Sequence, residues 1–261
     1  MTPGRVTVED DGGGLRVITL SRPGHLNGMD TPMLEMLVTA VREAAWDRSV
    51  RAVLLIGDGD AFSAGGDPAE LAGEGREAVV DRWTHISADI AGRIFHMEKP
   101  VVAAVDGVAV GAGCALALAC DVVLASERAR FGPVFVRRGI LPDHALLWFL
   151  PRQIGLLAAK DLVFSGRIVE ADEAQRLGLC TRVLPVDGFA SAARDEARAL
   201  ASGPTRALGA AKLVMHKGLE ADLWSVQAFE RLVQPSLFAT DDCAEAFAAH
   251  REKREPHFEG R

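Results

Sequence analysis

Short apolar runs alternating with longer helical patterns constrain the fold of this chain more than any other feature of it. LRVITLS at 15–21 is followed by a helical stripe over 31–47, RAVLLIG at 51–57 by a helix ending near Glu98, and VVAAV fills 101–105. Strands that recur with helices between them build a layered α/β core, because each helix must bury its apolar face against a sheet. In the first helix Thr31 fits the N-cap and Pro32 the first turn, with Met33, Leu34, Leu37, Val38 and Val41 along the face expected to be core. Beyond about residue 145 strand patterns nearly vanish, and helices are expected at 156–165, 170–177, 187–202, 205–217, 221–239 and 242–254. Their faces are expected to pack on the core and between subunits.

A chain of 261 residues that is 49% hydrophobic can bury a substantial core. Its net charge of -7 argues against a nucleic-acid surface, which needs a concentrated excess of Lys and Arg. Cys114, Cys120, Cys180 and Cys243 form no CxxC pair and no grouping with histidine, so neither a metal site nor a disulfide framework is expected. The first 20 residues lack a basic start followed by an apolar run, and no stretch reaches the ~18 apolar residues of a membrane span. A cytoplasmic protein with no membrane partner is the expectation.

Two glycine-rich turns lead into helices. In AFSAGGDPAEL, residues 61–71, Asp67 and Glu70 have capping-box spacing and Pro68 falls at the first helical position, so a helix is expected to start at Asp67. Gly65 and Gly66 just before it leave their backbone N–H groups unshielded. VAVGAGCALALACD, residues 108–121, repeats the arrangement at Gly111, Ala112 and Gly113, with a small-residue helix through Cys114 to Ala119. Two readings stand open here. The glycines permit close backbone packing, or the two turns bring N–H donors onto one oxygen, as an enolate or tetrahedral oxyanion requires.

SRPGHLNGMD (21–30), AFSAGGD (61–67), the run from Lys99 to Gly132, GILPD (139–143) and FSGRIVEADEAQRLGLCTRVLP (164–185), in this order and spacing, resemble the crotonase superfamily, the enoyl-CoA hydratase/isomerase family. The resemblance spans residues 5–258. It implies an α/β fold, a crotonase-like spiral of ββα turns over 1–200 with a helical C-terminal trimerisation region over 201–261, assembled as a homotrimer or dimer of trimers. The implied ligand is an acyl-CoA thioester, with no cofactor beyond the coenzyme A of that substrate. Matching positions make the N–H groups of Gly66 and Ala112 the oxyanion donors. Leu26, Asn27 and Gly28 would lie along the adenine and pantetheine and Lys253 near the CoA phosphates, with Ala64, Gly65 and Ala115 among the other substrate-binding positions.

The departures from the family narrow the chemistry. Where its hydratases carry two glutamates, this chain has Ala115 and Phe135, so water activation by paired carboxylates is not expected. Other branches place an aspartate twelve residues after the phenylalanine that is Phe131 here, which is Asp143. The resemblance implies a proton shuttle, as in isomerases with an IPD or VPD motif, or a nucleophile, as in a dehalogenase. Without it, Asp143 reads as an N-cap for a helix opening at His144 to Phe149. His144 replaces a small residue of the family; it either touches the acid, narrows the acyl pocket or is merely packed or at the surface. Phe135, Val136, Trp148 and Phe149 would line the acyl pocket, though core packing explains them equally well. His85 lies one turn from a histidine used in the dehalogenase branch, and Asp106 and Asp121 read as turn or cap residues.

GxSxG, HExxH and GxxxxGK[ST] are absent, and the glycines near Gly111 lack the third small residue of a dinucleotide fingerprint. With the resemblance and its departures, the activity implied is acyl-CoA double-bond or ring isomerisation with Asp143 as proton shuttle. The alternatives are a hydrolase or dehalogenase with nucleophilic Asp143, a residual hydratase, and an acyl-CoA-binding protein without turnover.

Overall fold

In the computed structural model, which describes residues 3–73 and 75–261, the apolar runs become strands of two sheets. The strands are β1 (Arg5–Asp10), β2 (Leu15–Ser21), β3 (Ala52–Gly57), β4 (Ala61–Ser63), β5 (Val101–Val105), β6 (Val108–Val110), β7 (Val122–Ser126), β8 (Arg130–Gly132), β9 (Val169–Glu170) and β10 (Arg182–Leu184). The larger sheet has the order β1-β2-β3-β5-β7-β10, parallel apart from β1, and the smaller has the order β4-β6-β8-β9, parallel apart from β9. Thus β3/β4, β5/β6 and β7/β8 each give one strand to each sheet before the chain enters a helical segment, which is the expected ββα spiral.

The central strands β2, β3 and β5 of the large sheet are buried on both faces, and their side chains alternate between two cores as a two-residue period demands. Val53, Leu55, Val101, Ala103 and Val105 face the main core, while Ala52, Leu54, Ile56, Val102 and Ala104 face a second one. The main core is covered by α1 (Thr31–Trp46), α3 (Arg76–His96) and α4 (Ala112–Leu118), with the short α2 (Pro68–Leu71) between the first two. Farther on come α5 (Leu146–Ile154), α6 (Leu156–Ser165), α7 (Ala171–Leu177), α8 (Phe189–Ala201), α9 (Thr205–Gly218), α10 (Leu223–Phe238) and α11 (Asp241–Glu252). Helix α8 closes the second core with Phe189, Ala193, Ala197 and Ala201, one residue per turn on a single stripe.

The expected C-terminal helices form within two residues of their sequence bounds. Two N-terminal expectations are corrected. Asp30, not Thr31, caps α1, its carboxylate accepting the Met33 N–H at 3.0 Å and the Gly4 N–H at 2.9 Å. The tie to Gly4 lies 26 residues away in sequence and selects between two adjacent residues that both make good caps. Asp67 does cap a helix, through the Ala69 N–H at 2.8 Å, but that helix is the four-residue α2. No capping box forms: Glu70 instead accepts from the N–H and hydroxyl of Thr31 at 3.0 and 2.8 Å.

Helix α9 is pegged to the core by Lys212, whose buried Nζ donates to Ile94 O at 2.8 Å and Asp121 Oδ2 at 2.8 Å. Arg51 ties the tail down through Thr205 Oγ1, Phe258 O and Gly203 O at 3.0, 2.8 and 2.6 Å. Among the described residues, no helix is long and apolar enough to cross a membrane.

Candidate active site

The first glycine turn leaves β4 at Ser63, whose hydroxyl donates to Asn27 O at 2.8 Å and accepts the Gly65 N–H at 3.2 Å. Gly65 takes φ +85, a region that favours glycine. Met29 then grips the turn from both sides: its N–H donates to Gly65 O at 2.7 Å and its carbonyl accepts from Asp67 N at 2.8 Å. The Gly66 peptide between them is fixed, and its N–H donates to no described residue.

The second turn leaves β6 at Gly111, with φ +55 and its N–H on Gly132 O at 2.9 Å. Ala112 opens α4, and its N–H likewise meets no acceptor among the described residues. The two turns touch: a Cβ built on Gly65 would sit 2.8 Å from Val110 O and 3.0 Å from Ala112 N, and one on Gly113 would sit 2.3 Å from Ser63 O. Real Cβ atoms do not approach that closely, so glycine at 65 and 113 is what allows the contact. Close packing therefore accounts for these glycines, and the two bare N–H groups lie on turns that touch.

Arg22 stands behind this region, a residue the sequence reading did not single out. Its buried guanidinium donates to Gly28 O at 3.1 Å and to Asp67 Oδ2 at 2.7 Å. Burial pushes the Asp67 carboxyl upward, but the Ala69 N–H and Arg22 outweigh it and hold Asp67 below the usual carboxylate range. The partners lie 45 residues apart, so no local pattern could have announced the pair.

Asp143 is not a helix cap. His144 and Ala145 both have positive φ, +51 and +56, which turns the chain and delays α5 to Leu146, whose N–H meets only the Asp143 backbone carbonyl at 3.0 Å. Asp143 Oδ1 is buried without a hydrogen-bond partner, although the side chain as a whole is 33% exposed. Burial raises its carboxyl to about 6. His144 is buried rather than at the surface; neither ring nitrogen has a partner, and Nε2 lies 4.0 Å from Asp143 Oδ1. Burial lowers the imidazole to about 4. At neutral pH the pair is a carboxylate beside a neutral imidazole.

The remaining expected residues divide. Ala115 and Phe135, at the two hydratase glutamate positions, are buried in the main core. Leu26 is half exposed in a left-handed turn, while the buried Asn27 spends its amide on Asp58 O, Ala61 O and the Arg22 N–H. Its side chain is therefore a scaffold for the turn. Gly28 donates its N–H to His25 O at 2.9 Å, and Ala64 donates to Leu26 O at 2.9 Å. Lys253 is exposed at the C-cap of α11.

A cleft of about 1660 Å³ lies between α3, α5, α9, α10 and the C-terminal tail. Trp148 and Phe149 are on its wall beside Phe95 and His216, whose rings stack at 3.7 Å, but Gly66, Ala112, Phe135 and Asp143 are not. Phe135 packs in the main core, as the core-packing reading has it, whereas Trp148 and Phe149 line this cleft. His85 is exposed, 3.8 Å from Asp81. Asp106 accepts from Ser126 and Arg128, and Asp121 from Val101 N and Lys212, so both serve ion pairs rather than simple turns. The four cysteines are unpaired.

Comparison with known proteins gives a consistent assignment. The family model for enoyl-CoA hydratase/isomerase matches residues 10–261. A Rhodobacter capsulatus protein named probable enoyl-CoA hydratase is 38% identical over 250 residues, 95% of each chain. The 2,3-dehydroadipyl-CoA hydratase of Escherichia coli is 36% identical over 245 residues, 94% of this chain and 95% of that one. The crystal structure of an enoyl-CoA hydratase from Bacillus anthracis superimposes with a TM-score of 0.93 at 31% identity, covering 98% of this chain and 99% of that one. A match over nearly the whole length, in sequence and in fold, means that this chain belongs to the enoyl-CoA hydratase/isomerase family.

Proposed function

We propose that this acyl-CoA enzyme is an isomerase that moves a double bond, or rearranges a ring, through a thioester enolate. The observation that carries the reading is that both hydratase glutamate positions are filled by buried Ala115 and Phe135, while Asp143 keeps an unpartnered carboxylate oxygen. Nearby acids are otherwise engaged, Asp67 by Arg22 and Glu70 by Thr31. In this reading the Gly66 and Ala112 N–H groups hold the thioester oxygen. Asp143 takes a proton from one carbon, the C–H electron pair runs to that oxygen as enolate charge, and the proton returns to a second carbon. A carboxyl raised to about 6 suits the task, since it is ionised at neutral pH yet basic enough to accept a proton. No cofactor is needed beyond the coenzyme A of the substrate. The protein would work as a homotrimer or dimer of trimers, with Lys253 toward the CoA phosphates.

Hydration is the second reading, favoured by the names of the relatives. Incubation of enoyl-, dienoyl- and aromatic acyl-CoA esters in heavy water, followed by mass spectrometry, separates the two. Isomerisation incorporates deuterium without gain of a water; steady production of a hydroxyacyl-CoA would establish hydration instead, and a trapped acyl-aspartate would make Asp143 a nucleophile. Asp143→Asn is expected to lower kcat by about a thousandfold while acyl-CoA affinity stays within a few-fold, as for loss of a general base.

A further inference from the structure

The pair Asp143 and His144 is not explained by the oxyanion turns. Asp143 offers its oxygens to different surroundings: Oδ1 is buried and unpartnered, so the accessible part of this 33% exposed side chain is the Oδ2 side. Behind Oδ1 sits an imidazole with no exposed side-chain surface and two unsatisfied nitrogens. Leaving both nitrogens unmet costs stability that a phenylalanine of similar shape would not, and the backbone at φ +51 adds a further cost. A residue so unfavourable in packing terms calls for a polar partner. The acceptor beside it is Asp143 Oδ1, itself lacking a donor, at 4.0 Å from Nε2.

We infer that His144 is a positioning residue for Asp143: its Nε2–H donates to the buried Oδ1 after a closure of about 1 Å and holds Oδ2 toward the acyl chain. The inference rests on the reading of Asp143 as the proton carrier. In each half of the reaction Oδ2 gains or loses the migrating proton, and the electron pair moves between carbon and the thioester oxygen. The imidazole neither gains nor loses a proton. It stays neutral, so it stabilises the carboxylate by a hydrogen bond rather than by charge.

Charged groups on the surrounding elements do not substitute for it. Arg137 and Arg138 precede the loop and are exposed. Arg152 on α5 is committed to the Trp148 ring and carbonyl. On α6, which packs against α5, Lys160 is exposed and Asp161 pairs with Arg167. Helix α4 carries no charged residue, and its Cys114 thiol is pushed up to about 12 by burial and stays neutral.

The test is an NMR titration without substrate. The carboxyl carbon of Asp143, assigned by its loss in Asp143→Asn, is followed with pH in the wild type, His144→Phe and His144→Gln. Phenylalanine is expected to raise the Asp143 midpoint by about one pH unit, and glutamine, which keeps an N–H donor, to restore at least about half of that. The acid limb of the kcat/KM profile moves with the midpoint, while KM changes by less than about threefold. An unchanged midpoint in a folded His144→Phe protein overturns the inference. So does a nitrogen-15 spectrum of the wild type with the His144 proton on Nδ1, a measurement that decides the matter even if the variant fails to fold. Because the titration needs no turnover, it remains readable if Asp143→Asn proves fully active, a result that would remove the proton-carrier role alone.

Discussion

At the residue scale the site depends on backbone as much as on side chains. A Gly65→Ala side chain would be forced against Val110 O and Ala112 N from a φ of +85, so the turns must separate. Turnover should fall by about a hundredfold, the size of a lost oxyanion donor, with thermal unfolding used to show that the protein remains folded. The acid and its neighbour also pull stability in opposite directions with pH. Asp143 is raised from 3.8 to about 6, so through that window the native chain holds a proton the unfolded chain has lost, and stability falls as pH rises. His144 is lowered from 6.5 to about 4, so over its window the unfolded chain binds a proton the native chain lacks, and stability falls as pH drops. Melting curves between about pH 4 and 6.5 should therefore show His144→Phe gaining on the wild type, and Asp143→Asn losing to it, on acidification. Equal slopes in all three proteins would refute the burial of the pair. The family resemblance pointed to Asp143, twelve residues after Phe131, but nothing pointed to the burial of His144, which goes with two consecutive positive φ angles that no local pattern announces.

At the element scale, helix α9 is held by an ion pair rather than by a continuous apolar stripe. Lys212→Met removes the partner of Asp121, whose carboxyl burial already pushes upward against the pull of that lysine. The loss should cost about 3–5 kcal/mol in chemical denaturation, and adding Asp121→Asn should recover part of it, because the stranded charge is then gone. Recovery of nothing would mean that Lys212 acts through its carbonyl contacts alone. Elements with strong periodicity were legible beforehand. The α8 stripe of Phe189, Ala193, Ala197 and Ala201 and the runs that became β2, β3 and β5 need only their own residues to be recognised. The two-residue β9 and three-residue β10 were not, since their strand character comes from pairing with β8 and β7. The break between α2 and α3 was missed as well. Its local sign is Gly73 and Gly75.

At the scale of the whole molecule, the surface of a single chain is unfinished. None of the sixteen residues of α10 is buried, and Trp224 and Leu232 on it are each 75% exposed. Leu157 and Phe164 on α6 are 85% and 76% exposed and line a second depression. Scattered apolar residues are ordinary on a monomer, but a sixteen-residue helix with no fully buried residue is not, because burial of an apolar face is normally what stabilises a helix in water. The proposed trimer would supply the cover if α10 lay between subunits. Sedimentation of the wild type should give three or six times the mass of one chain. Trp224→Glu combined with Leu232→Glu should give single chains with a lower melting temperature, since desolvating two carboxylates in an apolar interface costs far more than the contacts return. The catalytic consequence is separable from assembly. Gly66, Ala112 and Asp143 all lie outside α10, whereas Phe229, Val233 and Leu237 of that helix form one wall of the large cleft. If the cleft takes any part of the substrate, the dissociated variant should lose affinity, seen as a raised KM, more than it loses kcat. A wild type that sediments as one chain would leave α10 without a role and would remove the proposed assembly.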